Sequence, residues 1–407
     1  MKRRKFLKLS GLGTGALLTT SLASAFDYDS SKVKHVVVCM LAGGVRSFES
    51  IEEKEGSLMP HIFGNNLTIS ADIKEGIHGM PLLSNTPLIK QGVLFKEFKY
   101  NKGVTLHYTA HAACIMGRYE NEVPLLKPLP YPSVFELFRK HSALGQDPLS
   151  AWWISDQGGP FPFLYSSSYS GYGRNYAATM VQPYNLFKSN VSFGLPDIDS
   201  EAYQMLNGGS SLQSERSMQG KLSSFFGSFE KNFAASNGNV WGLGEKVNSD
   251  IYNAYFTSEV LKKFKPKLTV FNMQETDIGH SNFTEYCNNL NKADFATYKI
   301  WETIQNDPSL KENTVMIIVP EFGRNKEGNT LVDKFGRRAV DHTGDEISRD
   351  LFCLVLGPDG LIQKNKVVDT ERELIDVMPT VADLLGFHSE IPKQLLQGNI
   401  LNEIYKV

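Results

Sequence analysis

The sequence predicts an α/β fold, a mostly parallel central sheet with helices on both faces. Three observations carry this reading. Short runs that are apolar throughout recur at 36–41, 268–273, 314–319 and 351–356, and strands apolar on both sides belong in a sheet covered on two sides. Segments of helical periodicity alternate with them, at 283–305 and 373–385. Polar, chemistry-bearing residues follow or border the runs, where open α/β sheets place their sites.

In chain order, the first 25 residues read as an export signal. Arg3 and Arg4 sit in a basic head, a weakly apolar stretch from Leu9 to Leu22 is broken by Gly11, Gly13 and Gly15, and Ala23-Ser24-Ala25 offers small residues for cleavage. The stretch is too short and glycine-rich for a membrane span. The paired arginines imply the twin-arginine translocase as a partner during export and a periplasmic or otherwise exported location. The remaining chain suits one large domain, 33–407.

Val36 to Leu41 is a buried strand ending in Gly43-Gly44. Tyr108 to Met116 reads as a short helix closed by Gly117, with another helix at 133–140 and a strand near Ala151–Ser155. Residues 156–240 change character, rich in Gly, Ser, Tyr, Phe and Asn with little helical periodicity before about 212, and read as an insertion or cap. Regular alternation then resumes with the strand at 268–273. The last helix presents Leu374, Val377, Val381 and Leu384-Leu385 on one face.

Composition narrows the function classes. Lys plus Arg is 42 against 44 for Asp plus Glu, so no basic excess points to nucleic acid. No segment after the signal is long and apolar enough to span a bilayer as a helix. The four cysteines, Cys39, Cys114, Cys287 and Cys353, lack zinc-ribbon spacing; Cys39 and Cys353 lie in apolar runs, which favours buried thiols over a disulfide framework.

The chemistry gathers at strand ends. Asp277 and His280 follow the 268–273 strand, Glu321 and Arg324 follow the 314–319 strand, and Asp341-His342 precedes the last one. Imidazoles and carboxylates of this kind can converge on a divalent metal, with zinc the expected ion. His107 and His111 lie four apart and share a helix face. They are candidate replacement ligands or acid–base groups, as against ordinary polar residues. Arg324 suits an anionic substrate group, a phosphate or sulfate ester.

These residues resemble the alkaline phosphatase superfamily, which includes sulfatases. The Gly turn Leu41-Ala42-Gly43-Gly44, Met116-Gly117-Arg118-Tyr119, Asp341-His342-Thr343-Gly344 and the helix Asp376 to Gly386 carry the resemblance, which covers most of the chain outside about 150–250. Pro320-Glu321-Phe322-Gly323-Arg324 followed by Asp341-His342 is similar to an uncharacterised, twin-arginine-exported branch. The resemblance implies an alkaline phosphatase-like fold and a metal held by Asp277, His280 and His342, with Glu321 and Asp341 as further metal residues. Asp277 lies one residue closer to its His than is usual. It also exposes losses. The first-strand Asp of the superfamily is Gly43 here, the Asp-His pair is Glu321-Phe322, and the nucleophile position falls on His107, flanked by Thr105 and Thr109. The expectation is a metal-dependent hydrolase with a reduced site in which His107, Thr109, His111 and Arg324 are the catalytic candidates. The competing readings are a non-catalytic binding protein and an assembly factor that docks a partner on the aromatic segment Phe161–Tyr176.

Overall fold

In strand β1 (His35–Leu41) every residue is buried, as expected of an apolar run at the centre of a covered sheet. The structure, a computed structural model, describes residues 33–52, 57–64, 74–120, 127–156, 161–184 and 212–406. The expected signal at 1–25 and part of the 156–240 stretch lie outside the described residues.

β1 pairs in parallel with β5 (Leu268–Met273) on one side and with β6 (Thr314–Pro320) on the other. Strand β3 (Ala151–Ile154) and strand β4 (Thr179–Val181) extend the β5 side, both parallel. On the other side come β7 (Asp350–Leu356), β2 (Gly92–Lys99) and β8 (Lys366–Val368), with β9 (Arg372–Glu373) also on β2. The order is β4-β3-β5-β1-β6-β7-β2-β8, and only β7 runs antiparallel to its neighbours. The expected α/β fold with a mostly parallel sheet is therefore present. Because β4 is an edge strand of this sheet, the 156–240 stretch is not wholly an addition outside it.

Alternate side chains face opposite layers. Trp152 stacks toward Phe264 of α4 (Ser249–Phe264), whereas Trp153 meets Phe135 of α2 (Val134–His141). One layer contains α4 and α5 (Phe283–Asn306), packed against Val37, Cys39 and Leu41, with Phe225 and Phe229 of α3 (Leu212–Ala235) in the same core. The other contains α2, α1 (His107–Met116) and α6 (Val377–Leu384), with α6 in contact with both α1 and α2. A capping box between Ser133 and Glu136 starts α2. Gly117, in the left-handed region at φ 64°, ends α1. All four cysteines are buried free thiols.

Candidate metal centre

The carboxyl ends of β1, β5 and β6 lie side by side, with Leu41 opposite both Met273 and Pro320. Three loops therefore start from one edge. After β1 the chain turns at Gly43, φ 87°, where an added Cβ would lie 2.5 Å from the Asp277 amide nitrogen and 2.6 Å from Thr276 Oγ1. No larger residue fits, so a first-strand carboxylate is excluded by packing. After β5, the 3-10 turn Glu275–His280 sets Asp277 and His280 three residues apart on one side. Thr276 Oγ1 donates to the Ala42 carbonyl at 2.7 Å and ties this turn to the β1 loop. From the opposite side, α1 opens with His107, with His111 one turn further along.

His107, Asp277, His280 and His342 converge. Each offers one ligand atom, and these atoms lie within 4.8 Å of one another. His107 Nε2 is 3.0 Å and His280 Nε2 3.2 Å from the same oxygen, Asp277 Oδ1. The far nitrogen of each ring is held from behind. His107 Nδ1 meets Glu321 Oε1 at 2.6 Å, His280 Nδ1 meets Asp341 Oδ1 at 2.7 Å, and His342 Nδ1 meets the Thr105 carbonyl at 2.6 Å. A carbonyl only accepts, so His342 Nδ1 carries the proton and Nε2 is the bare nitrogen. That Nε2 is buried and has no hydrogen-bond partner among the described residues. Phe322, fully buried, stacks on the His342 ring at 4.2 Å and closes the back of the cluster.

The electrostatics follow from these contacts. Burial opposes a charge on His107, but the Glu321 and Asp277 carboxylates outweigh it and raise its pKa to about 10. The hydrogen bond to Asp277, helped by Asp341, raises His280 against burial. Burial and the positive charges of His107, Arg324 and His280 push His342 down to about 4. Asp277 is held well below the usual carboxylate range because its bonds from His107 and His280 overcome burial. Glu321 is held low in the same way, by the charges and hydrogen bonds of His107 and His111 against complete burial.

Several expected site residues take other roles. Glu321 lies behind His107, outside the four-residue cluster. It is 0% exposed, accepts from the Gly43 amide at 2.5 Å and from His107, and has His111 Nδ1 2.6 Å from Oε2 without hydrogen-bond alignment. Oε1 is shared by His107 and the Gly43 amide, and Oε2 faces His111. Asp341 likewise acts through His280, and Asn329 holds it with a 3.1 Å bond. Arg324 does not present itself to a substrate. Its guanidinium is fully buried, donates to the Val340, Gly43 and Thr276 carbonyls, and lies 3.3 Å from Asp277 Oδ1. It therefore ties the three loops together. Thr109, two residues after His107, falls on the opposite side of α1 from the cluster. Thr105 commits its hydroxyl to the His342 carbonyl at 2.5 Å. Sequence reasoning offered His107 as a replacement ligand or an acid–base group, and the structure brings it into the cluster. The Thr105 carbonyl, Phe322 and Asn329 left no signal, because backbone groups and single polar residues carry no spacing pattern.

No protein-family model and no curated protein sequence matches the chain. Among solved structures, an alkaline phosphatase variant matches at TM-score 0.52 and 10% identity, covering 92% of this chain and 99% of that one. A phosphonate monoester hydrolase from Silicibacter pomeroyi matches at TM-score 0.46 and 11% identity, over 91% of this chain and 76% of that one. A protein in the alkaline phosphatase superfamily from Vibrio parahaemolyticus matches at TM-score 0.43 and 12% identity, over 89% and 70%.

Proposed function

Given that this chain has an alkaline phosphatase-like fold, we propose that it is an exported, metal-dependent hydrolase of phosphate or sulfate esters. It works with one divalent ion, zinc in the first instance. The observation that carries the reading is the orphaned, buried Nε2 of His342 within a set of three imidazoles and one carboxylate. Nitrogen and oxygen donors of this kind suit zinc. Imidazoles held on their far nitrogen by carboxylates or a carbonyl are the usual outer support of a metal site.

His107, Asp277, His280 and His342 would hold the ion, and its chemistry would be to polarise an ester oxygen and acidify a water. The chain's own residues do the rest. Glu321, Asp341 and the Thr105 carbonyl fix the direction of each ring. The Asp277 and His280 side chains are 45% and 37% exposed, so a small anionic substrate approaches from their side. Thr105 and Thr109 are turned to other partners or away, which supports water as the attacking group in place of a covalent enzyme intermediate. With Gly43 in place of a carboxylate, the first-strand ligand of a second ion is missing. No helix among the described residues is long and apolar enough to cross a membrane.

The test is turnover of simple aryl phosphate and aryl sulfate monoesters by purified protein. Activity that a chelator removes and zinc restores, and that Asp277→Asn abolishes, is expected. Activity indifferent to chelator would count against the reading.

A further inference from the structure

Five of the nine large apolar side chains that stand exposed among the described residues lie on the loops that carry or touch the candidate cluster: Val104, Leu106, Ile278, Leu331 and Val332. They come from three separate loops. Val104 and Leu106, 57% and 47% exposed, immediately precede His107. Ile278, 39% exposed, sits between Asp277 and His280. Leu331 and Val332, 52% and 59% exposed, lie on a hairpin closed by Asn329–Ala339 and Leu331–Ala339 backbone bonds. Asn329 Nδ2 anchors that hairpin on the His280 carbonyl at 2.9 Å. His107 to Asp277 at 3.0 Å and Asn329 to His280 tie the three loops to one another.

Apolar side chains gathered beside polar donors mark a place where an apolar group is buried on binding. We propose that this collar takes the apolar alkyl or aryl part of the substrate, so that the site favours phosphate or sulfate esters of apolar alcohols over those of sugars or other polar alcohols. The choice of head group rests on the hydrolase reading; the choice of tail rests on the collar alone. Exposed Lys102, Lys334 and Arg338 lie on the same loops, so the apolar residues are interspersed with charge that suits an anionic head group.

The test compares octylphosphonate with ethylphosphonate, neither of which is turned over, by titration calorimetry on the full protein supplied with zinc. Each methylene buried adds about fourfold to affinity, so two or three buried on the collar favour octylphosphonate by roughly 15- to 60-fold. Leu106→Ser and Ile278→Ser, both at exposed positions, should erase most of that preference and leave ethylphosphonate binding unchanged. Equal affinities, no binding of either probe, or a preference untouched by both variants would overturn the proposal. So would sedimentation with phosphatidic-acid vesicles in the absence of any octyl preference, which assigns the collar to a lipid surface. A collar-dependent preference without turnover of any ester would leave the collar standing and sink the hydrolase reading, so the two failures are distinct.

Discussion

Glu321 reaches the cluster through one hydrogen bond. Its Oε1 accepts from His107 Nδ1 and from the Gly43 amide, so it fixes the ring that must face Asp277. Replacing Glu321 by Gln removes the charge that faces His107 and leaves a single acceptor oxygen, which must still take the Oε1 place to keep both bonds. Outer partners of this kind are worth about 10–100-fold in metal affinity, and a zinc titration of Glu321→Gln should read a loss of that size while the protein stays folded. Unchanged affinity would remove Glu321 from the account. Away from the site, His35 carries a pH dependence of its own. It is 4% exposed, with Nδ1 2.7 Å from the Pro266 carbonyl. Burial lowers its pKa from 6.5 to about 4, despite that hydrogen bond. The unfolded chain therefore binds the proton first, and stability present above pH 6.5 is lost as pH falls through 4. A shift of this size corresponds to about 3 kcal/mol. His35→Asn, which keeps a donor toward the carbonyl, should flatten urea-unfolding stability between those two pH values; a slope identical to that of the parent would contradict the assignment.

The turn after β1 illustrates how an element carries the site. Gly43 adopts φ 87° and packs against the backbone of the β5 loop, so the residue type is set by both conformation and space. Gly43→Ala should lower stability by about 1–3 kcal/mol and weaken metal binding as well, because Asp277 must move. Urea unfolding and metal content on one preparation would check both, and loss of neither would show that the loops are not coupled there. The strands β1, β5, β6 and β7 were legible in the sequence because their residues are apolar on both faces. Strand β2 was not, since Lys96 and Glu97 interrupt it where its register shifts between Phe95 and Phe98. Helix α4 was missed for the opposite reason. It buries polar Asn253, Thr257 and Ser258 together with its apolar residues, and no amphipathic stripe survives. At the site, Asp277, His280 and His342 were legible from their place at strand ends. The role of Arg324 was not, because its partners are carbonyls of distant loops.

At the scale of the molecule, one end of the sheet gathers the four candidate ligands from three separate parts of the chain, α1, the turn after β5 and the loop before β7. The alkaline phosphatase-like fold expected from the Gly turn, the Asp341-His342 segment and the last helix is the observed one. The export reading rests on residues outside those described. Lysine at both Arg3 and Arg4 should leave the precursor in the cytoplasm, as cell fractionation would read, and normal export of that variant would withdraw the claim. The central claim is that His107, Asp277, His280 and His342 form one mononuclear metal site. Elemental analysis of the purified chain, beside Asp277→Asn and His342→Ala, tests it most directly. The account predicts one divalent ion per chain in the parent and a large loss in both variants. Two ions per chain, no metal after zinc loading, or a content indifferent to both substitutions would contradict it.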